Sequence, residues 1–214
     1  MGDWGVQPMY RGYQLIGDSL MVRLANQLLK YRIQLKLEGG KRVRRIGLCI
    51  SGQSIAGLHR RIKECQPGGL NDKIICMIGT NSIRRGLTHA CCRKRLGDLV
   101  DELFEKGVKD LILCTIPPLP VHYHDTAIWK NLFGYNREIR KFAKRPNIRV
   151  CNVFINFYFP DRRIDIEPNV DFSCFEPTYG GTSKVDLIHL NRKGLSKMRD
   201  SLRLVLDGEH IRIS

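Results

Sequence analysis

Five short apolar runs alternate with segments of helical periodicity along most of the 214-residue chain. The runs are almost continuously hydrophobic, which is typical of strands that are buried on both faces of a parallel sheet. The segments between them carry apolar residues at spacings of three and four, as amphipathic helices do. The predicted strands are residues 13–16, 46–50, 73–78, 111–115 and 148–154, and the predicted helices are residues 19–31, 55–64, 89–105, 128–143 and 191–206.

This alternation predicts an α/β protein of flavodoxin-like, three-layer architecture, in which helices cover both faces of a five-stranded parallel sheet. A chain of 214 residues suits a single domain of this kind. We expect residues 13–207 to form the domain, with residues 1–12 as an N-terminal extension and residues 208–214 as a C-terminal tail. Residues 156–184 contain prolines and a glycine pair, which predicts an irregular segment before the last helix.

The same composition bears on the compartment of the protein. No apolar run reaches the roughly 18 residues that a membrane-spanning helix needs, and the first residues lack the apolar stretch of a secretory signal. We therefore expect a cytoplasmic protein, with the nucleus as the alternative. Half of the eight cysteines lie in predicted strands and no C-x-x-C pair occurs, which favours reduced, buried thiols over disulfides or a metal site.

Four groups of polar and glycine residues follow predicted strands or precede the last predicted helix. The carboxyl ends of parallel strands meet at one edge of a sheet, and ligands bind there in open α/β folds. We therefore expect these groups to lie close together. They are Gly17-Asp18-Ser19-Leu20, Ser51-Gly52, Gly79-Thr80-Asn81 and the segment from Asp186 to His189.

In this order the four groups resemble the sequence blocks of the SGNH hydrolase family, also called GDSL esterases and lipases. The resemblance covers residues 13–206 and implies Ser19 as nucleophile, His189 as general base and Asp186 as the residue that orients it. It also implies an oxyanion hole formed by the backbone N–H groups of Ser19 and Gly52 and the side-chain amide of Asn81. A triad of this kind needs no metal or cofactor. Ser82 departs from the family, many of whose members have aspartate after the asparagine.

Each of these residues also has a simpler interpretation. Ser19 and Asp186 suit helix N-caps, Gly52 suits a turn and Asn81 suits a turn cap. Separate capping needs do not, however, predict serine, glycine, asparagine, aspartate and histidine at one edge of a sheet. The sequence therefore favours a serine-dependent ester (acyl) hydrolase that acts on a small ester.

The formal net charge of +15 and the pI of about 9.7 are a separate indication of function. Such a charge favours a polyanionic partner, although solvated helix faces remain the simpler interpretation. The cations are clustered, and the densest cluster places four of them in five residues. The candidate nucleic-acid-binding residues are Lys41, Arg42, Arg44, Arg45, Arg84 and Arg85.

A basic chain with this fold also resembles a second family, the OSK-type domain of insect Oskar proteins. That resemblance implies an SGNH-like domain without hydrolase activity that binds RNA. The present chain differs in retaining all the catalytic residue types. The alternative to a hydrolase is therefore a catalytically idle domain that binds RNA through its basic clusters.

Overall fold

The computed structural model describes residues 5–66, 68–159, 169–180 and 182–208. Its main sheet has eight strands, and the central ones all run parallel. In spatial order these are β5 (Cys49–Ile50), β2 (Tyr13–Gly17), β6 (Lys73–Met77), β7 (Asp110–Cys114) and β8 (Ile148–Cys151). The α/β fold and the parallel sheet predicted from the apolar runs are confirmed, but the sheet is wider than five strands.

The additional strands are antiparallel and carry little apolar pattern. β3 (Gln34–Glu38) and β4 (Lys41–Ile46) form a hairpin that extends the sheet beyond β5. β1 (Met9–Tyr10) pairs with β2, so the segment expected as a separate extension already belongs to the sheet. A second, two-stranded sheet pairs β9 (Tyr158–Phe159) with β10 (Asn169–Val170).

The strand predicted at residues 46–50 is interrupted by a tight turn at residues 47–48, and Cys49–Ile50 continues as a central parallel strand. Ile46 of β4 pairs with Cys49 of β5 in antiparallel register, so the chain reverses at residues 47–48. Gly47 has a φ of +55°, which glycine adopts without strain, and a Cβ there would clash with Gln7 Oε1. An apolar run of five residues does not distinguish a strand from such a turn.

Helices lie on both faces of the sheet. The connections from β5 to β6, β6 to β7 and β7 to β8 advance in one direction, so right-handed crossovers place their helices on one side. The connection from β2 to β5 runs in the opposite direction, which places α1 on the other face of the sheet. There α6 packs against Leu24–Leu28, the segment that follows α1. The helices are α1 (Ser19–Arg23), α2 (Ile55–Lys63), α3 (Thr80–Arg84), α4 (His89–Glu105), α5 (Thr126–Lys141) and α6 (Arg192–Leu206).

The helix predicted at residues 19–31 is shorter than expected. α1 continues into a π-helical turn, Leu24–Leu28, and the segment ends at Lys30, which has a φ of +64°. Leu20, Met21 and Leu24 are nearly inaccessible to solvent and anchor this segment on the sheet. The burial of this segment places Ser19 at the carboxyl end of β2, next to the ends of β5 and β6.

Candidate active site and basic rim

Ser19 lies in the turn that joins β2 to α1. Gly17 ends the strand with a φ of +148°, and a Cβ there would clash with Met77 O on the neighbouring strand. Asp18 caps the helix, since its Oδ1 accepts the N–H of Leu20 at 3.0 Å. Ser19 is the first residue of the helix, so its own N–H has no intrahelical acceptor. The turn thus presents both the hydroxyl and the N–H of Ser19 at the edge of the sheet.

The loop before α6 brings His189 and Asp186 to this serine. His189 Nε2 lies 3.0 Å from Ser19 Oγ, and His189 Nδ1 lies 2.8 Å from Asp186 Oδ1. Asp186 is inaccessible to solvent and also accepts the backbone N–H groups of Ile188 and His189, each at 3.2 Å. The three residues expected to form a triad are therefore joined in one hydrogen-bonded chain.

The charges around His189 favour its neutral form. Burial lowers the pKa of His189 below its ordinary value, the nearby charges of Arg23 and Arg84 lower it further, and Asp186 opposes them. A neutral imidazole whose Nδ1 donates to Asp186 has a free lone pair on Nε2. The geometry therefore allows His189 to accept the proton of Ser19 at neutral pH.

Gly52 and Asn81 lie at the same edge, as their positions after strands predict. Asn81 Nδ2 donates to Gln53 O at 3.1 Å, which orients the amide and leaves a second N–H for a ligand. Gly52 is exposed with a φ of +78°, and its carbonyl accepts from Arg85 Nη2 at 3.2 Å. Ser19, Gly52 and Asn81 all line one cavity of about 490 Å³.

Two groups that sequence reasoning did not single out complete this cavity. Arg23 lies one helical turn after Ser19; its Nη1 contacts Glu176 Oε1 at 3.1 Å and its Nη2 lies 3.6 Å from Asp186 Oδ2. The Tyr179 ring meets the His189 ring edge to face, with centroids 5.8 Å apart. The spacing of four residues from Ser19 could have indicated Arg23, whereas nothing local indicated Tyr179.

The exposed candidate RNA-binding residues lie on or next to two elements that border this cavity, β4 and α3. Arg44 and Arg84 line it, and Lys41 and Arg42 lie on the same exposed hairpin as Arg44. Within the described part of the chain, none of these four cations has an ion-pair partner. We call Lys41, Arg42, Arg44, Arg84 and Arg85 the basic rim.

Arg45 differs from its neighbours in the cluster. It points to the opposite face of β4, its side chain is only 7% exposed and it lies 3.9 Å from Glu38. The alternation of a strand separates it from Arg44, which is exposed. Arg45 therefore contributes to the packing of the hairpin and not to the basic rim.

A second cationic cleft lies between α4 and α5. It has a volume of about 560 Å³ and includes Arg93, Lys141 and Arg145. Its charges are largely compensated, since Arg93 and Lys141 contact Glu138 at 3.3 and 2.7 Å and Arg145 contacts Asp101 at 2.8 Å.

Two further kinds of feature are absent from the described part of the chain. No cluster of three histidine, cysteine, aspartate or glutamate side chains there is arranged to hold a metal ion. None of the helices there combines the length and hydrophobicity that a bilayer crossing requires.

Comparison with solved structures places the fold in the SGNH (GDSL-type) class. A member of the lipolytic G-D-S-L family from Veillonella parvula DSM 2008 superposes with a TM-score of 0.57 at 15% identity, covering 90% of this chain and 96% of the other. The crystal structure of the OSK domain of Drosophila Oskar gives a TM-score of 0.75 at 23% identity, covering 96% and 93%.

Within that class, a family model described as the OSK domain matches residues 3–203, so the chain belongs to the OSK domain family. The maternal effect protein oskar of Drosophila melanogaster is 32% identical over 129 residues, which are 60% of this chain and 20% of that protein. Its counterpart in Drosophila virilis is 30% identical over 128 residues, again 60% and 20%. The aligned region thus spans about a fifth of the length of these relatives.

Proposed function

We propose that this chain is an OSK-type domain that binds RNA through the basic rim. This proposal is supported by the exposed cations of β4 and α3, two elements that bring Arg44 and Arg84 to one cavity, in a chain with a net charge of +15. Lys41, Arg42 and Arg44 follow one another closely along β4, and Arg84 approaches from α3. Uncompensated cations that neutralise phosphates release counterions, and this release drives RNA binding.

The cleft between α4 and α5 is the weaker candidate for the same role. Three of its four cations, Arg93, Lys141 and Arg145, already contact Glu138 or Asp101, and an RNA phosphate would have to compete with these carboxylates. The cations of the basic rim face no such competition among the described residues. Because the basic rim consists of phosphate-binding side chains, we expect little sequence preference.

Salt-dependent binding of a labelled single-stranded RNA tests this proposal. The double variant Lys41→Gln/Arg42→Gln removes two rim cations outside the cavity, and we expect weaker binding with a slope of log Kd against log salt that is shallower by about 1.4. Lys130→Gln/Arg140→Gln is the matched control, because it removes one lysine and one arginine from the exposed face of α5. If the two double variants lost the same RNA affinity, the effect would come from net charge alone, and this would contradict the proposal.

We propose as a second function that the same domain hydrolyses a carboxylic ester. The observation that favours it is the hydrogen-bonded chain from Ser19 through His189 to Asp186. Ser19 Oγ would attack the ester carbonyl while its proton passes to His189 Nε2. The N–H groups of Ser19, Gly52 and Asn81 would stabilise the oxyanion.

The remaining steps balance without a cofactor. The protonated His189 returns its proton to the leaving alcohol as the carbonyl carbon–oxygen bond breaks, which leaves an acyl group on Ser19. A water molecule then gives its proton to His189 and attacks the acyl group, releasing a carboxylic acid and restoring Ser19. Asp186 orients the ring and stabilises its charged form in both steps.

Hydrolysis of 4-nitrophenyl butyrate by the purified protein tests this second function. In Ser19→Ala we expect kcat to fall by at least about 10³-fold, because the nucleophile is lost. Ser183→Ala, an exposed serine outside the cavity, should retain full activity. Turnover that persists in Ser19→Ala would exclude the triad. Ser19→Ala should bind RNA as the wild type does, which separates the two functions.

We propose a cytoplasmic location, with the nucleus as the alternative. All eight cysteines are free and seven of them are buried, which suits a reducing compartment.

A further inference from the structure

We infer that the cavity above Ser19 binds an anionic ligand between Arg44 and Arg84, and that the ester it accepts carries a carboxylate or phosphate group. The turnover part of this inference rests on the proposed hydrolase. The proposed binding of an anion depends only on the residues that line the cavity. Arg44 enters the cavity from β4 and Arg84 from α3, so two separate elements supply the cations.

The charge lining the cavity is of one sign. Arg23, Arg44 and Arg84 line it together with His189, and no aspartate or glutamate among the described residues does so. Arg23 is already compensated by Glu176 and Asp186. Arg44 and Arg84 therefore carry the uncompensated charge, and a guanidinium is suited to a planar carboxylate or a phosphate.

Arg84 lies near the reacting atoms, and Arg44 lines the same cavity. Arg84 follows Asn81 by three residues on the same short helix, so the two side chains share a face. After burial and Arg23, the charge of Arg84 also contributes to the lowered pKa of His189, which places it within electrostatic range of the triad. If Ser19 and Asn81 hold the ester carbonyl, a carboxylate or phosphate a few atoms along the same ester would therefore reach Arg84 and Arg44.

The apolar part of the lining strengthens this attraction. Val22, Ile33 and Ile188 form part of the wall beside the arginines. Apolar walls lower the effective dielectric constant, so a charge pair interacts more strongly there than on an open surface. The site thus discriminates between an anionic ester and a neutral one of the same length.

Two esters that differ only in this charge test the inference. Mono-4-nitrophenyl glutarate and 4-nitrophenyl butyrate have acyl chains of similar length, and we expect kcat/KM to be at least about 10-fold higher for the glutarate. Arg44→Gln and Arg84→Gln should each remove most of this preference, chiefly through a higher KM for the glutarate. Arg140→Gln, on the exposed face of α5, should keep the preference. The inference would be overturned if the wild type hydrolysed the glutarate and butyrate esters with nearly equal kcat/KM. It would also be overturned if the double variant Arg44→Gln/Arg84→Gln kept the preference of the wild type.

A binding measurement separates this inference from the proposed hydrolysis. Glutarate bound beside His189 should raise the pKa of its ring, followed by NMR, in the wild type but not in Arg44→Gln/Arg84→Gln. If neither ester is hydrolysed and this shift is present, the hydrolase proposal fails and the anion site stands. If glutarate leaves the His189 titration unchanged, the anion site is refuted, and a shift on adding RNA alone would assign these arginines to the RNA surface.

Discussion

Asp18, the residue before the candidate nucleophile, is held in an unfavourable environment. It is inaccessible to solvent, and its Oδ1 accepts the Leu20 N–H. Burial raises the pKa of Asp18 to about 6, although the Leu20 N–H and the Thr80 side chain oppose the shift. At neutral pH the fold therefore maintains a buried carboxylate next to Ser19, which costs stability.

Asp18→Asn should stabilise the protein in a pH-dependent way. The pKa of Asp18 is higher in the folded protein than in the unfolded chain. The free energy of unfolding of the wild type, relative to that of the variant, therefore falls as the pH rises from about 4 through 6. The asparagine side chain keeps an oxygen for the Leu20 N–H and carries no charge. We expect the variant to gain up to about 3 kcal/mol at pH 8 and almost nothing near pH 4.

Urea denaturation at several pH values measures this difference. Asp98→Asn removes an exposed aspartate of α4 and controls for the change in net charge. A gain for Asp18→Asn that does not vary between pH 4 and 8 would show that the carboxylate of Asp18 is not destabilised by its burial.

The β3–β4 hairpin carries three residues of the basic rim, Lys41, Arg42 and Arg44, and also the side chain that attaches it to α2. Its outer face holds Leu35 and Leu37, which are 62% and 73% exposed, opposite Arg44 and Arg42. Its other face carries Glu38, which contacts Arg61 of α2 and lies 3.9 Å from Arg45. One carboxylate thus links the hairpin to the helix beneath it.

Glu38→Gln should weaken this attachment. The substitution removes the charge that compensates Arg45 and Arg61, of which Arg45 is almost fully buried. Removing one partner of a buried ion pair is costly, and since Glu38 is partly exposed we expect a loss of about 1–3 kcal/mol in the free energy of unfolding. Chemical denaturation measures the loss, and Glu105→Gln, at the exposed end of α4, is the control. A change below about 0.5 kcal/mol would mean that the hairpin is held by its backbone pairing alone.

At the scale of the whole molecule, the cysteines report on how completely the core is closed. Cys49, Cys76, Cys114 and Cys151 lie in the central strands, and Cys91 is the one exposed thiol of the eight. Burial raises the pKa of the Cys92 thiol to about 11, with the charge of Arg95 opposing the shift. The seven buried thiols are also shielded from reagents in solution, which leaves Cys91 as the accessible one.

A thiol-specific reagent should accordingly modify one cysteine per native molecule and eight after unfolding. Mass spectrometry counts the added groups, and Cys91→Ser should abolish the native reaction. Rapid modification of two or more thiols in the native protein would indicate that the core opens more readily than its packing implies.

Much of this organisation follows from local sequence. Most of the central parallel strands are buried on both faces, so they leave mainly apolar runs that can be recognised without knowledge of their neighbours. Ser19, Gly52 and Asn81 directly follow such runs, and Asp186 and His189 directly precede a helix. Since parallel strands end at one edge, their meeting could be predicted from order alone.

The hairpin and the charge of the cavity were decided only by the tertiary structure. β3 and β4 consist mainly of charged and exposed residues, whose pattern resembles a solvated loop until β5 provides an edge for pairing. That pairing determines that Arg45 is buried while Arg44 reaches the cavity. Arg44 and Arg84 lie forty positions apart, and Arg23 meets Asp186 across most of the chain. Sequence periodicity describes which face of an element is apolar, but only the folded sheet determines which side chains from distant elements share a cavity.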